Sequence, residues 1–207
     1  MLILPYAAPP ATYNNPVIRE DAPDPGVLKT ERDYFMATTG GDRQQGAFPI
    51  YRSEDLVHWQ PAGTIFAKGQ TPGWSSGDFW APEIHQVGDQ FVAYFTARDR
   101  SGMLRVGAAT SPKAEGPYQD IGQPLVAEPN VGVIDPTFFR DDDGSQYLYW
   151  KEDGNAFNPP QPTRIMGQKL EKDGVTRSGE PVEVLRNAPL SWEGYIVEAP
   201  ELVKRGE

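Results

Sequence analysis

The sequence predicts an all-β chain built from propeller blades, and three observations carry that expectation. A proline-anchored motif recurs four times, short apolar strands alternate with turn residues inside each complete copy, and no stretch sustains the 3.6-residue period of an amphipathic helix. The anchoring prolines are Pro25, Pro82, Pro136 and Pro200, at intervals of 57, 54 and 64 residues. Four short strands in a unit of that length is the pattern of a propeller blade.

The first copy reads PDPGVLKTERDYFMATT from Pro23, the second APEIHQVGDQFVAYFTA from Ala81, the third IDPTFFRDDDGSQYLYW from Ile134, and a fourth, EAPELVKRGE, begins at Glu198. Each complete copy starts with an innermost strand, turns at acidic residues, and enters a second strand predicted at Tyr34 to Ala37, Phe91 to Phe95 and Tyr147 to Trp150. The outer strands are predicted in PIYRSEDLVHWQPAGTIF, RVGAATSPKAEGPYQDIGQPL and RIMGQKLEKDGVTRSGEPVEVL, each split by a polar turn and closing near Gly63, Gly122 or Gly179. Blade I then spans about residues 20–75, blade II about 76–130, blade III about 131–190, and the start of blade IV about 191–207. About three and a half blades are fewer than the four to eight that close a ring. The chain is therefore expected to be the front part of a larger propeller.

Composition narrows the function. With 19 basic against 29 acidic side chains the net charge is −10, which argues against a nucleic-acid partner, because phosphate binding needs a basic footprint. The absence of cysteine removes disulfides, thiolate zinc sites, iron–sulfur clusters and cysteine nucleophiles, and leaves the compartment undecided. His58 and His85 are the two histidines, so a His-rich metal site is excluded, as is any His-based triad that uses neither. Met1 to Tyr6 is apolar, but it lacks a basic leader and is too short for a signal core or a membrane span. No membrane partner is expected.

The innermost strands of a propeller face its central channel, so the starts of equivalent strands converge on one axis. Asp24 and Asp135 stand just before the anchoring proline, and Glu198 stands two before Pro200. The pre-proline place is Ala81 or Ala199 in the other copies, so the fold does not itself require an acid there. Asp-Pro is a common turn opener. A carboxylate within YIVEAPELV, however, is costly unless partnered, and three acids at equivalent places point to a site.

Four segments carry a family resemblance. APDPGV (Ala22 to Val27), FWAPEIH (Phe79 to His85), GVIDPTFF (Gly132 to Phe139) and VEAPELVK (Val197 to Lys204) resemble, in order and at blade spacing, the motifs of glycoside hydrolase family 43, and YRSEDLVHW (Tyr51 to Trp59) resembles its first-blade hairpin. The resemblance implies a five-bladed β-propeller acting on arabinose- and xylose-containing polysaccharides by inversion. Carried over by position, it implies Asp24 as general base, Glu198 as general acid, and Asp135 as the residue that orients the acid and raises its pKa. An inverting glycosidase needs one carboxylate to activate water and one protonated carboxyl to donate to the leaving oxygen. The expected function is removal of arabinofuranosyl or xylosyl units from plant cell-wall glycans. A lectin-like propeller and a fructoside-cleaving five-bladed hydrolase are the other readings.

Trp80 is the expected sugar-facing aromatic, since a flat apolar ring can stack on a sugar face, with a core position as the competing reading. Trp192 is a second candidate for the mouth of the same site, although packing is favoured there. Glu83 and His85, just inside the second innermost strand, are given no catalytic role, and His58 and Trp59 read as hairpin packing residues. Asp141, Asp142, Asp143 and Gly144 lack EF-hand spacing and read as a solvated turn. No organic cofactor is implied. A histidine supporting a central ion or water and an arginine holding the sugar are, in the resembled family, expected from later blades. An incomplete ring exposes a strand edge and apolar face, so these 207 residues alone are expected to associate. Sedimentation analysis that finds a stable, monodisperse monomer would count against this expectation.

Overall fold

The computed structural model describes residues 12–206, so the apolar run Met1 to Tyr6 lies outside the described residues. Within them the chain forms three antiparallel sheets in sequence order. The first contains β1 (Gly26–Lys29), β2 (Tyr34–Ala37), β3 (Gly41–Asp42), β4 (Gly46–Ser53) and β5 (Gln60–Phe66), with β3 and β5 both paired to β4. The second runs β6 (Ser75–Val87), β7 (Gln90–Asp99), β8 (Leu104–Ser111) and β9 (Gln119–Asp120). The third runs β10 (Val133–Arg140), β11 (Gln146–Glu152), β12 (Arg164–Leu170) and β13 (Arg177–Arg186). One 3₁₀ turn at Gly154–Ala156 is the helical element among the described residues.

These are three consecutive blades of a propeller that is not closed, and the core lies in the seams between them. Strand β7 shows why. Its odd positions, Phe91, Ala93, Phe95 and Ala97, pack toward the first blade with Phe35, Phe48, Ile50 and Phe66, whereas its even positions, Val92 and Tyr94, pack toward the third with Phe138, Leu148 and Trp150. Alternation of side chains along a strand thus lets one central strand serve two seams. In the first seam Phe95 lies 5.3 Å from Phe48 and 5.2 Å from Phe66, and stacks on Trp74 at 6.2 Å. Gly107 is required beneath this stack, because a Cβ there would fall 2.4 Å from the Phe95 ring. In the second seam Tyr94 stacks on Phe138 at 5.7 Å, and its buried hydroxyl donates to the carbonyl of Gly174 at 2.6 Å.

Three details depart from the expectations drawn from sequence. Strand β3 is an additional short strand, and β13 continues to Arg186 rather than closing near Gly179, which instead sits at positive φ beside a shift in the β12–β13 register. No strand is assigned between residues 187 and 206, so the fourth copy docks against the third blade without a ladder of its own. His58 is not packed. It is exposed and bonded to Asp55 at 2.7 Å, while Trp59 donates to the Leu56 carbonyl at 3.0 Å.

Truncating Phe95 removes the ring that Phe48, Phe66 and Trp74 share, and Phe95→Ala is expected to cost about 3–5 kcal/mol. Urea unfolding of the variant against the parent measures this, and a loss below about 1 kcal/mol would show that the seam does not bear the stability assigned to it.

Candidate active site

Each innermost strand begins with the same local distortion. Trp80 pairs with Thr96 and Glu83 with Tyr94, so Ala81 and Pro82 together oppose one residue of β7. Ile134 pairs with Lys151 and Thr137 with Tyr149, so Asp135 and Pro136 do likewise against β11. In the first blade the Pro23 carbonyl accepts from the Thr39 amide and Gly26 pairs with Ala37, giving Asp24 and Pro25 the same surplus. This is a β-bulge, a device that bends a strand and redirects a side chain. The residue before a proline normally adopts an extended conformation. Here Asp24, Ala81, Asp135 and Ala199 all take positive φ, at 51°, 44°, 54° and 51°. A left-handed backbone at a non-glycine residue is uncommon and is characteristic of functional sites.

The bulges turn their side chains into one cleft of about 570 Å³, whose walls include Asp24, Trp80, Asp135 and Glu198 together with Glu83, His85 and Glu201. The three acids singled out from sequence therefore meet, and Trp80 joins them, half-buried on the wall. Trp192 does not: it is 93% exposed beyond β13, outside the cleft and without the packing favoured for it. Glu83 and His85 lie on the wall as a bonded pair, Nε2 to Oε2 at 2.8 Å. Asp141, Asp142 and Asp143 form the β10–β11 turn, where Lys204 pairs with Asp141 and Asp142.

Hydrogen bonds set each carboxylate differently. The Thr39 hydroxyl donates to Asp24 Oδ2 at 2.6 Å and accepts the Ala81 amide at 2.7 Å, so one side chain ties the acid of the first blade to the bulge of the second. Asp135 receives the Ala199 amide on Oδ2 at 3.1 Å, which fixes the backbone beside Glu198. Burial pushes the Asp135 carboxyl above its ordinary range, and the negative charges of Glu198 and Asp24 add to the effect, against the opposing pull of the Ala199 N–H and Lys151. Glu198 accepts from Lys151 Nζ at 2.9 Å, a residue that sequence reasoning did not single out. Its signal was a lysine inside the apolar strand YLYWKE. Among the described residues no group of three or more His, Asp or Glu side chains is arranged to hold a metal ion.

A propeller whose axis is lined by carboxylates delivered from successive blades is the architecture of a class of carbohydrate-processing proteins, and comparison with known proteins names the member. The family model of glycosyl hydrolases family 43 matches residues 13–207, and the chain belongs to that family. It is 40% identical over 77 residues to a xylosidase/arabinosidase of Humicola insolens, covering 37% of this chain and 23% of that protein. It is 29% identical over 206 residues to a β-D-galactofuranosidase of Aspergillus niger, covering 92% of this chain and 55% of the relative. The crystal structure of a thermostable family-43 glycoside hydrolase superposes with a TM-score of 0.76 at 32% identity, covering 86% of this chain and 57% of that one. The matched part of the chain thus spans between 23% and 57% of the length of these relatives.

Because burial raises the Asp135 carboxyl, the folded state holds its proton more tightly than the unfolded chain does. The stability this contributes is present below the ordinary carboxylate range and is lost as pH rises through the raised value. Asp135→Asn removes that loss while its amide oxygen still accepts from Ala199. The variant is expected to match the parent in melting temperature near about pH 3 and to exceed it by a few degrees near about pH 7. Thermal melts across that interval check the sign, and an advantage that shrinks as pH rises would refute it.

Proposed function

We propose that this protein is an inverting glycosidase that removes arabinofuranosyl or xylosyl units from plant cell-wall polysaccharides or oligosaccharides. The observation that carries the reading is the convergence of Asp24, Asp135 and Glu198, from three different repeat units, on one cleft beside Trp80. In this reading Asp24 takes the proton of the attacking water, and Glu198 gives a proton to the leaving oxygen. Asp135 holds the Ala199 amide and through it the backbone of the acid. Its charge sits beside two others, and like charges disfavour simultaneous ionisation, which supports one member of the cluster being protonated. Trp80 supplies the flat apolar wall on which a sugar ring can stack. Relatives named as xylosidase/arabinosidase and as β-D-galactofuranosidase support a glycoside substrate.

The full-length natural protein, assayed with nitrophenyl α-L-arabinofuranoside, β-D-xyloside and β-D-galactofuranoside, is expected to hydrolyse one of the first two fastest, with inverted anomeric configuration in the first NMR spectra. Glu198→Gln is expected to lose about 10²–10⁴-fold in kcat on oligosaccharides, whose leaving group needs a proton, and to retain most activity on dinitrophenyl glycosides. Equal loss on both would remove the acid from Glu198. Sugar binding without hydrolysis of any glycoside would favour the lectin, and preference for the galactofuranoside would overturn the substrate.

A further inference from the structure

We infer that Lys151 is a positioning residue for the carboxyl of Glu198, an inference that rests on the acid role proposed above. It comes from the register of the three blades. Thr39, Thr96 and Lys151 occupy the same place, each opposite the residue two before the anchoring proline: Pro23, Trp80 and Ile134. In the first two blades the threonine hydroxyl accepts the amide of the pre-proline residue in the next unit, Ala81 at 2.7 Å and Asp135 at 3.1 Å. Each hydroxyl thereby holds the bulge of the following blade.

A lysine cannot do this, because an ammonium has three donors and no acceptor. Two differences appear together at the third seam. The Ala199 amide, which has no threonine to meet, bonds to Asp135 Oδ2 instead, and Lys151 Nζ reaches past the bulge to Glu198 Oε2 at 2.9 Å. The exchange of threonine for lysine occurs at the seam whose following unit carries its acid two residues before the proline rather than one. There an acceptor for the backbone is less useful than a donor for the carboxylate.

Lys151 is suited to hold rather than merely to neutralise. Its side chain is 1% exposed, whereas that of Glu198 is 53% exposed, so the ammonium is the fixed partner and the carboxyl the one being placed. A buried ammonium is costly unless paired, and Asp153 pairs with it at 2.9 Å from the other side. Burial pulls the Lys151 ammonium down, but its bonds to Glu198 and Asp153 outweigh that and keep it charged.

The test uses the full-length protein with Lys151→Thr, which installs the residue of the other two seams. Turnover on oligosaccharides is expected to fall roughly 10- to 100-fold with KM little changed, the size of effect that misplacing a reacting group produces. Turnover on dinitrophenyl glycosides, which need no proton from Glu198, is expected to stay within about twofold, and Lys151→Arg should restore part of the loss. Adding Lys151→Thr to Glu198→Gln should slow the enzyme no further, because the lysine acts through the carboxyl already removed. Equal loss on both substrate types, or additive losses in the double variant, would overturn the inference. If Lys151→Thr melts below the assay temperature, Lys151→Gln keeps an uncharged donor one bond shorter and must show the same split between substrates, in smaller measure. A Glu198→Gln variant without that split would defeat the acid reading and this inference with it. The split in Glu198→Gln but not in the Lys151 variants defeats the inference alone.

Discussion

Everything at the candidate site depends on the bulge before each anchoring proline. A regular strand would send the pre-proline side chain along the pleat and pair its amide in the ladder. Two residues facing one break that ladder and leave an amide that must find another partner, because an unpaired backbone donor is costly where water is excluded. Thr39, Thr96 and Asp135 supply the partners, each from the preceding blade. The strain of a left-handed residue is thus held by bonds across the seams, and the carboxylates are placed by the relation between blades rather than by any one blade.

That dependence explains why much of the site was legible in the sequence and part was not. The repeat registers the blades, and registered prolines place Asp24, Asp135 and Glu198 at comparable heights without coordinates. The second strands of the blades were legible too, at Tyr34 to Ala37, Phe91 to Phe95 and Tyr147 to Trp150, within β2, β7 and β11. The bulges left no such trace, since the residue before a proline normally adopts an extended conformation, whereas Asp24, Ala81, Asp135 and Ala199 take positive φ. Lys151 was missed because a lysine near a strand end usually reaches solvent. It is visible as an exception only once β11 is aligned with β7 through the pairing of each with its innermost strand, β10 and β6. Trp192 was misjudged for a related reason: the docking of the fourth copy follows hydrogen bonds from the third blade, which the composition of SWEGYIVEAPEL does not encode.

The cluster also has an electrostatic constraint. Asp24, Asp135 and Glu198 share a cleft with Glu83 and Glu201, and His85 is bonded to Glu83. Such an array would drive its members apart or toward protonation unless charge were compensated. The compensation is local: Thr39 donates to Asp24, a backbone amide to Asp135, and Lys151 to Glu198. Three like groups are thereby given three unlike partners, a hydroxyl, an amide and an ammonium.

The third relation differs in kind from the first two. Blades I and II, and blades II and III, are joined by apolar seams whose aromatic rings resist displacement, since close-packed cores transmit shifts rather than absorb them. Neither apolar cluster includes a residue beyond Val175, so the segment bearing Glu198 meets blade III through polar contacts: Val197 to Thr163, Ala199 to Asp135, Lys204 to Asp141 and Asp142, and Lys151 to Glu198. Exposed ion pairs such as that of Lys204 contribute little to holding a segment in place. The contacts that can hold it are those with a buried member: Lys151 at 1% exposure and Thr163 at 0%. Asp24 is therefore placed through the frame of the packed blades, whereas Glu198 is placed by a few directed hydrogen bonds. The separation between them rests on the stiffness of the apolar seams at one end and on the ammonium of a single buried lysine at the other.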